Sequence, residues 1–179
     1  MNYNQVFLGI FCAFFLSACA ATSPPPPVYS YGKKAIEVHL QADPLLNLNQ
    51  DSPHTLLICV HQLMDPNAFN RLIGDTNGIY KLLECSQFDG SVTHSKRIIV
   101  QPDQKVLYTL DRAEGTKFVA VGAGYYNVKK DDVVRLYEIP IATKSLGFFS
   151  RTSVAEPDVL KIELDLGPMK IRNVKNQRC

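Results

Sequence analysis

Hydrophobic positions follow three different spacings along the chain. Val6 to Leu16 is an uninterrupted apolar run. From Ala35 to Gln41 apolar and polar residues alternate, with Ile36, Val38 and Leu40 set against Glu37, His39 and Gln41, which is the period of a half-buried strand. After Met64-Asp65-Pro66 the separations become helical through Asn67, Phe69, Leu72 and Ile73 and then Ile79, Leu82 and Leu83. Gly74 and Gly78 interrupt that stretch, so it predicts two short helices or turns, capped by Asp65 and Asp75.

The rest of the chain reads as strand separated by turn chemistry. Thr55 to Leu63, Arg97 to Val100, Val106 to Leu110, Lys117 to Tyr126, Val133 to Ile141 and Leu160 to Leu166 are the expected strands, with a short last one at Met169 to Arg172. Asp89-Gly90, Pro102-Asp103, Glu114-Gly115, Lys129 to Asp132 and Gly167-Pro168 mark turns, and Gly147 to Val154 reads as a linker. Phe118 to Gly124 is apolar on both faces and belongs in the middle of a sheet. Of the adjacent aromatics Tyr125-Tyr126 and Phe148-Phe149, one member of each pair should face the core and one should face outward. Short strands, few helices and no βαβ alternation predict a mainly β fold: a two-sheet antiparallel β-sandwich with one or two short inserted helices.

The apolar run ends in Leu16-Ser17-Ala18-Cys19, the pattern of a lipobox. The run enters the membrane, the small residues leave the scissile bond accessible, and the cysteine thiol accepts a diacylglycerol. About eleven apolar residues suit a signal segment and fall short of the ~20 a spanning helix needs. The expected organisation is a signal peptide over 1–18, a lipidated Pro-rich tether over 19–34 containing Pro24 to Pro27, and one β-sandwich domain over 35–179. Acyl chains on Cys19, palmitate included, hold such a domain at a membrane. Ala20 stands where an Asp signals inner-membrane retention, so in a Gram-negative envelope the expected place is the periplasmic face of the outer membrane.

Charge adds little. The formal net charge is +2, and Lys129-Lys130 is answered at once by Asp131-Asp132, which excludes a nucleic-acid stripe. Lys170, Arg172, Lys175 and Arg178 make a basic C-terminal tail, expected to be solvated. Once Cys12 leaves with the signal and Cys19 carries lipid, Cys59, Cys85 and Cys179 remain in a compartment that permits disulfides. Three pairings are open; Cys85 with Cys179 is favoured because a bridge there would pin a fraying terminus.

Catalytic signatures are weak throughout. His39, His54, His61 and His94 lack any metal-ligand spacing and are expected at the surface or on edges, so no metal and no cofactor is expected. Ser91, Ser95 and Ser145 lack a nucleophile motif. Gly122-Ala123-Gly124 lies within a strand and cannot cradle a phosphate at a helix start, while Asp131-Asp132 and Glu114 sit in turns as solvated acids. With no Trp for sugar stacking, no enzyme and no small-molecule substrate is expected.

The connection from Ala42 to His54 is different, because Leu45, Leu46 and Leu48 make a surface loop unusually apolar. Either something covers them, or Leu46 and Leu48 fold back on their own core. Leu45-Leu46-Asn47-Leu48-Asn49, followed by Thr55 to Asp65 with Gln62, Leu63 and Asp65 in place and Phe69 after them, resembles the TssJ family of type VI secretion outer-membrane lipoproteins. The similarity continues through Ile99-Val100-Gln101-Pro102 and Phe118 to Tyr126, spanning Ile36 to Ile141 in order. His61 stands where that family usually has tyrosine, Asn127 near its usual acidic residue, and Val134-Arg135 at its aromatic-Arg pair.

The resemblance implies a transthyretin-like sandwich with a structural, non-catalytic role in the type VI secretion membrane complex. Its implied partner is the periplasmic C-terminal region of TssM, an inner-membrane protein. The implied contact is the first interstrand loop, here Leu45, Leu46, Asn47, Leu48, Asn49, Gln50 and Asp51. The rival reading is a periplasmic lipoprotein that binds a ligand or inhibits an enzyme with loops of the same sandwich.

Overall fold

A computed structural model of the chain describes residues 25–146 and 152–172. The lipobox with Cys19, the Phe148-Phe149 pair and Cys179 lie outside the described residues. Among the described residues, ten strands and three short helices run in the order β1 (Gly32–Ala42), β2 (Leu56–Leu63), α1 (Asn67–Leu72), α2 (Thr76–Leu82), β3 (Val92–Val100), β4 (Lys105–Arg112), β5 (Phe118–Ala123), α3 (Lys130–Val133), β6 (Val134–Glu138), β7 (Ile141–Leu146), β8 (Thr152–Pro157), β9 (Leu160–Leu166) and β10 (Ile171–Arg172).

One sheet has the order β10-β9-β1-β4 and the other β3-β2-β5-β6, with β7-β8 as a separate ribbon. The alternation in β1 sends Ile36, Val38 and Leu40 inward, and their cross-strand partners Leu160, Ile162 and Leu164 on β9 are buried beside them. Pairing is antiparallel except between β1 and β9, which run parallel. That exception to the expected antiparallel sandwich is allowed because the chain passes through the whole second sheet between the two strands, so no tight hairpin dictates their direction.

Strand β2 is almost wholly buried because both of its faces are covered. Gln62, on one face, reaches the end of β4: its Nε2 donates to the Asp111 carbonyl at 2.9 Å, and its Oε1 accepts from Ala113 N at 2.8 Å and Thr116 Oγ1 at 3.1 Å. Cys59 and His61, on the other face, look toward α2. Opposite them in the register on β5 are Gly122 and Ala120, small enough to leave room for the helices. A Cβ on Gly122 would sit 3.4 Å from Leu83. The centrality of the Phe118 to Gly124 stretch is therefore real, and its small residues face the inserted helices.

Helix α2 starts where Asp75 accepts the N–H groups of Asn77 and Gly78 at 2.6 and 3.1 Å, and buries Ile79 and Leu82. Gly78 is required there, since a Cβ would lie 2.0 Å from the Leu72 carbonyl oxygen at the end of α1. Asp65 acts one step away from the cap, accepting from Asn67 N at 3.0 Å while Pro66 occupies the cap itself.

The packing of α2 also corrects the expected disulfide. Cys85, just beyond α2, is bonded to Cys59 on β2, with their Cα atoms 5.1 Å apart, so Cys85 is not available to Cys179. The pairing is decided by α2 folding flat onto the sheet, a tertiary event that cysteine position alone does not encode. His61, expected at the surface or an edge, is fully buried in the same layer. Its Nε2–H donates to the Leu82 carbonyl at 2.9 Å, so Nδ1 accepts from Ser95 Oγ at 2.8 Å, and Phe88 packs edge-on to the ring. Burial holds its pKa below the usual histidine range, partly opposed by the Leu82 carbonyl.

Other boundaries shift. β1 begins at Gly32 and Tyr29 packs on the core, so the ordered fold starts upstream of Ala35. β3 begins at Val92 rather than Arg97, Lys130–Val133 forms a helical turn that overlaps the expected turn, and Thr152 to Val154, the end of the expected linker, belongs to β8, which pairs with β7.

Candidate functional site

The β1–β2 connection forms a built surface at one end of the sandwich. Asp43 starts it: its backbone N–H donates to Leu166 O at 2.9 Å, and its carbonyl accepts from Leu46 N at 2.9 Å and Asp103 N at 3.2 Å. Its carboxylate accepts from Leu45 N at 2.8 Å and pairs with Arg172. These two donors, Leu45 N–H foremost, hold the Asp43 carboxyl below the usual carboxylate range. Arg172, pulled up by the same bond, also reaches Asp165 at 3.6 Å. The start of the loop is thus fixed to β9 and β10.

The three loop leucines divide. Leu46 is 0 % exposed and plugs the core, Leu48 is half-buried, and Leu45 is 49 % exposed. Asn47 is buried too and takes a left-handed backbone with φ of 48°. Its Nδ2 donates to Thr55 O at 2.9 Å and its Oδ1 accepts from Tyr126 N at 3.1 Å, tying the loop to the segment after β5. Leu48 N donates to Pro168 O at 2.7 Å, tying it to the β9–β10 turn. At the tip, Asn49 and Ser52 exchange backbone hydrogen bonds at 3.0 Å across Gln50 and Asp51, both at positive φ. That is the two-residue turn usually reserved for Asn and Gly.

Three segments therefore meet around a cleft of about 280 Å³ lined by Asn47, Leu48, Asn49, Tyr125, Tyr126, Asn127, Pro168 and Met169. Tyr126 is 58 % exposed, with its ring edge-on to His54 at 5.2 Å, and Met169 is exposed on the opposite rim. Tyr125 is 3 % exposed, yet its hydroxyl has no hydrogen-bond partner, and burial pushes its pKa well up. The surface thus offers apolar rims on a stiff backbone, which suits recognition of another chain.

Of the residues expected to form the contact, Asn47, Leu48 and Asn49 line this cleft, Leu45, Gln50 and Asp51 are exposed on the same loop, and Leu46 is buried in the core. The division of Tyr125 inward and Tyr126 outward agrees with the pattern reading. His54 closes the expected loop, whereas Pro168 and Met169 lie outside it; Gly167-Pro168 signals only a turn, and nothing local shows that this turn returns to the first loop. Lys170 and Arg172, expected to be solvated, are ion-paired with Asp132 at 3.9 Å and with Asp43. Among the described residues, no group of three or more His, Cys, Asp or Glu side chains could hold a metal ion. Among the same residues, no helix is long and apolar enough to cross a membrane.

The fold is similar to solved structures of the type VI secretion system. The lipoprotein TssJ1 from Pseudomonas aeruginosa matches over 86% of this chain and 100% of its own, with TM-score 0.54 and 16% identity. Serratia marcescens Lip, described as a membrane-bound component of that system, matches over 78% of this chain and 96% of its own, with TM-score 0.54 and 19% identity. A chain of the structure described as the TssM C-terminal domain (869-1107) from EAEC matches over 79% of this chain and 98% of its own, with TM-score 0.55 and 15% identity. No curated relative matches the sequence. The family model described as "Type VI secretion lipoprotein, VasD, EvfM, TssJ, VC_A0113" covers residues 34–166, and the chain belongs to that family.

Proposed function

We propose that this lipoprotein is acylated at Cys19, sits on the periplasmic face of the outer membrane, and docks the periplasmic C-terminal region of a TssM-like inner-membrane protein at the β1–β2 loop end. Its work is structural: lipid holds one end of the molecule and the partner is held at another surface. The observation that carries the reading is the tying of Leu45 to Asp51 to Tyr126 and Pro168, because a loop stiffened in this way meets a partner with little ordering cost. A matched structure described by the name TssM supports the choice of partner.

Titration calorimetry of the full chain in mild detergent against the periplasmic region of the TssM-like protein tests the docking. Leu45→Asp and Tyr126→Ala alter exposed side chains and should each weaken binding at least about tenfold, as central apolar anchors do. Wild-type affinity in both folded variants would exclude this surface. Incorporation of labelled palmitate, lost in Cys19→Ser, tests the anchor separately.

A further inference from the structure

Arg112 ends β4 opposite Gly32 on β1 and turns inward, where it is 4 % exposed. Its guanidinium packs close to the glycine; a Cβ there would come within 3.1 Å of Nη2. Two of its five N–H groups meet neutral carbonyls: Nη2 donates to Ser30 O at 3.2 Å and Nη1 to Asp158 O at 3.5 Å. Nε is buried and has no partner. No ion pair with a carboxylate reaches this side chain among the described residues.

A buried guanidinium served only by carbonyls is an uncompensated charge, and such charges are normally matched by an anion. Here there is room for one. The side chain forms a wall of a cleft of about 470 Å³ between the N-terminal segment, at Pro25 and Val28, and β8, at Val154 and Pro157. Glu156 also lines the cleft, but its carboxylate is engaged by Lys144 at 2.6 Å. Planar, multiply donating and set among apolar walls, the guanidinium suits a phosphate ester whose organic part lies against proline and valine.

We propose that the Arg112 cleft is an anion site that binds a phosphate ester, separate from the loop surface described above. The ester can come from a membrane phospholipid headgroup or from a free phosphate. Placement favours the headgroup. Pro25 follows Cys19 by six positions, a reach of at most about 20 Å, so with Cys19 acylated the cleft is held beside the lipid headgroups. That placement rests on the acylation reading; the site itself does not.

The test follows the Nε–Hε resonance of Arg112 in the full chain, held in maltoside micelles that contain no phosphate. The signal is assigned by its loss in Arg112→Lys or, should that variant not fold, by nuclear Overhauser contacts to Gly32. A saturable shift with dihexanoylphosphatidylglycerol but not glycerol 3-phosphate supports the site with a lipid as its source. Saturable shifts with both support a site that needs only the phosphate. No saturable shift with either, or an equal shift with uncharged dihexanoylglycerol, overturns the proposal. Glu156→Gln removes the one carboxylate in the cleft and should tighten binding about threefold; weaker binding in that variant would count against the assigned position. Because the ligand is added in solution, failure here is distinct from failure of palmitate labelling at Cys19.

Discussion

The amide of Asn47 bridges two strands' worth of backbone, accepting the Tyr126 N–H on one side and donating to the Thr55 carbonyl on the other. It does so from a left-handed conformation that few residues other than Gly and Asn adopt readily. One side chain therefore sets both the path of the first loop and its attachment to the segment after β5.

Substitution at Asn47 should separate those two roles. Asn47→Gly keeps the backbone conformation and loses both hydrogen bonds, at a cost of about 1–2 kcal/mol. Asn47→Ala adds backbone strain and should cost about 1 kcal/mol more. Urea unfolding of the two variants measures the difference. Equal stability would mean that strain at this position is negligible.

The helix layer predicts a redox dependence. Cys59 and Cys85 close a loop with a sequence separation of 26, for which chain entropy gives about 3–4 kcal/mol. The double variant Cys59→Ala/Cys85→Ala should lose stability of that order, and the intact protein should lose a similar amount on reduction. If the variant unfolds at the same urea concentration as the oxidised protein, the bond contributes nothing to the fold.

His61, in the same layer, predicts a pH dependence. Its folded-state pKa is lowered, chiefly by desolvation, so the unfolded chain takes up the proton more readily. The stability due to the neutral ring is fully present above the unfolded pKa of about 6.5. It is lost as pH falls from there through the folded value. His61→Gln can still donate to Leu82 O and accept from Ser95, and it does not titrate. The fall in urea midpoint between pH 7.5 and pH 5 should therefore be smaller in that variant than in the wild type; parallel profiles would remove His61 as the cause.

These residues also show where the sequence was readable. β1 could be read because one face is solvent and the other core, giving clean alternation at Ile36, Val38 and Leu40. Asp75 announced α2 because capping is local chemistry. The first half of β3, Val92 to Lys96, was missed because it is an edge strand with mostly polar residues between few buried ones. β7 and β8 were hidden because they pair with each other outside the two sheets, so the alternation that marks a strand of the sandwich does not apply to them. The disulfide, the burial of His61 and the meeting of Leu48 with Pro168 all depend on segments distant in sequence, and no local period encodes them.

Tyr125 gives the test that most directly joins structure to function. Tyr125 lines the cleft beside Asn47 and Pro168, and its hydroxyl is buried without a hydrogen-bond partner. In the free protein an unsatisfied buried hydroxyl is a cost, so Tyr125→Phe should raise stability by about 1 kcal/mol, the order of the desolvation it relieves. Docking should respond in the opposite sense. A partner that displaces the side chains over Tyr125 and places a carbonyl or carboxylate against it would give the hydroxyl its missing acceptor, and the Phe variant would bind about fivefold to tenfold more weakly. Thermal unfolding and calorimetry on the same preparation read both signs. Higher stability with unchanged affinity would place the partner on the rim formed by Leu48, Tyr126 and Met169, with nothing polar entering between Asn47 and Pro168.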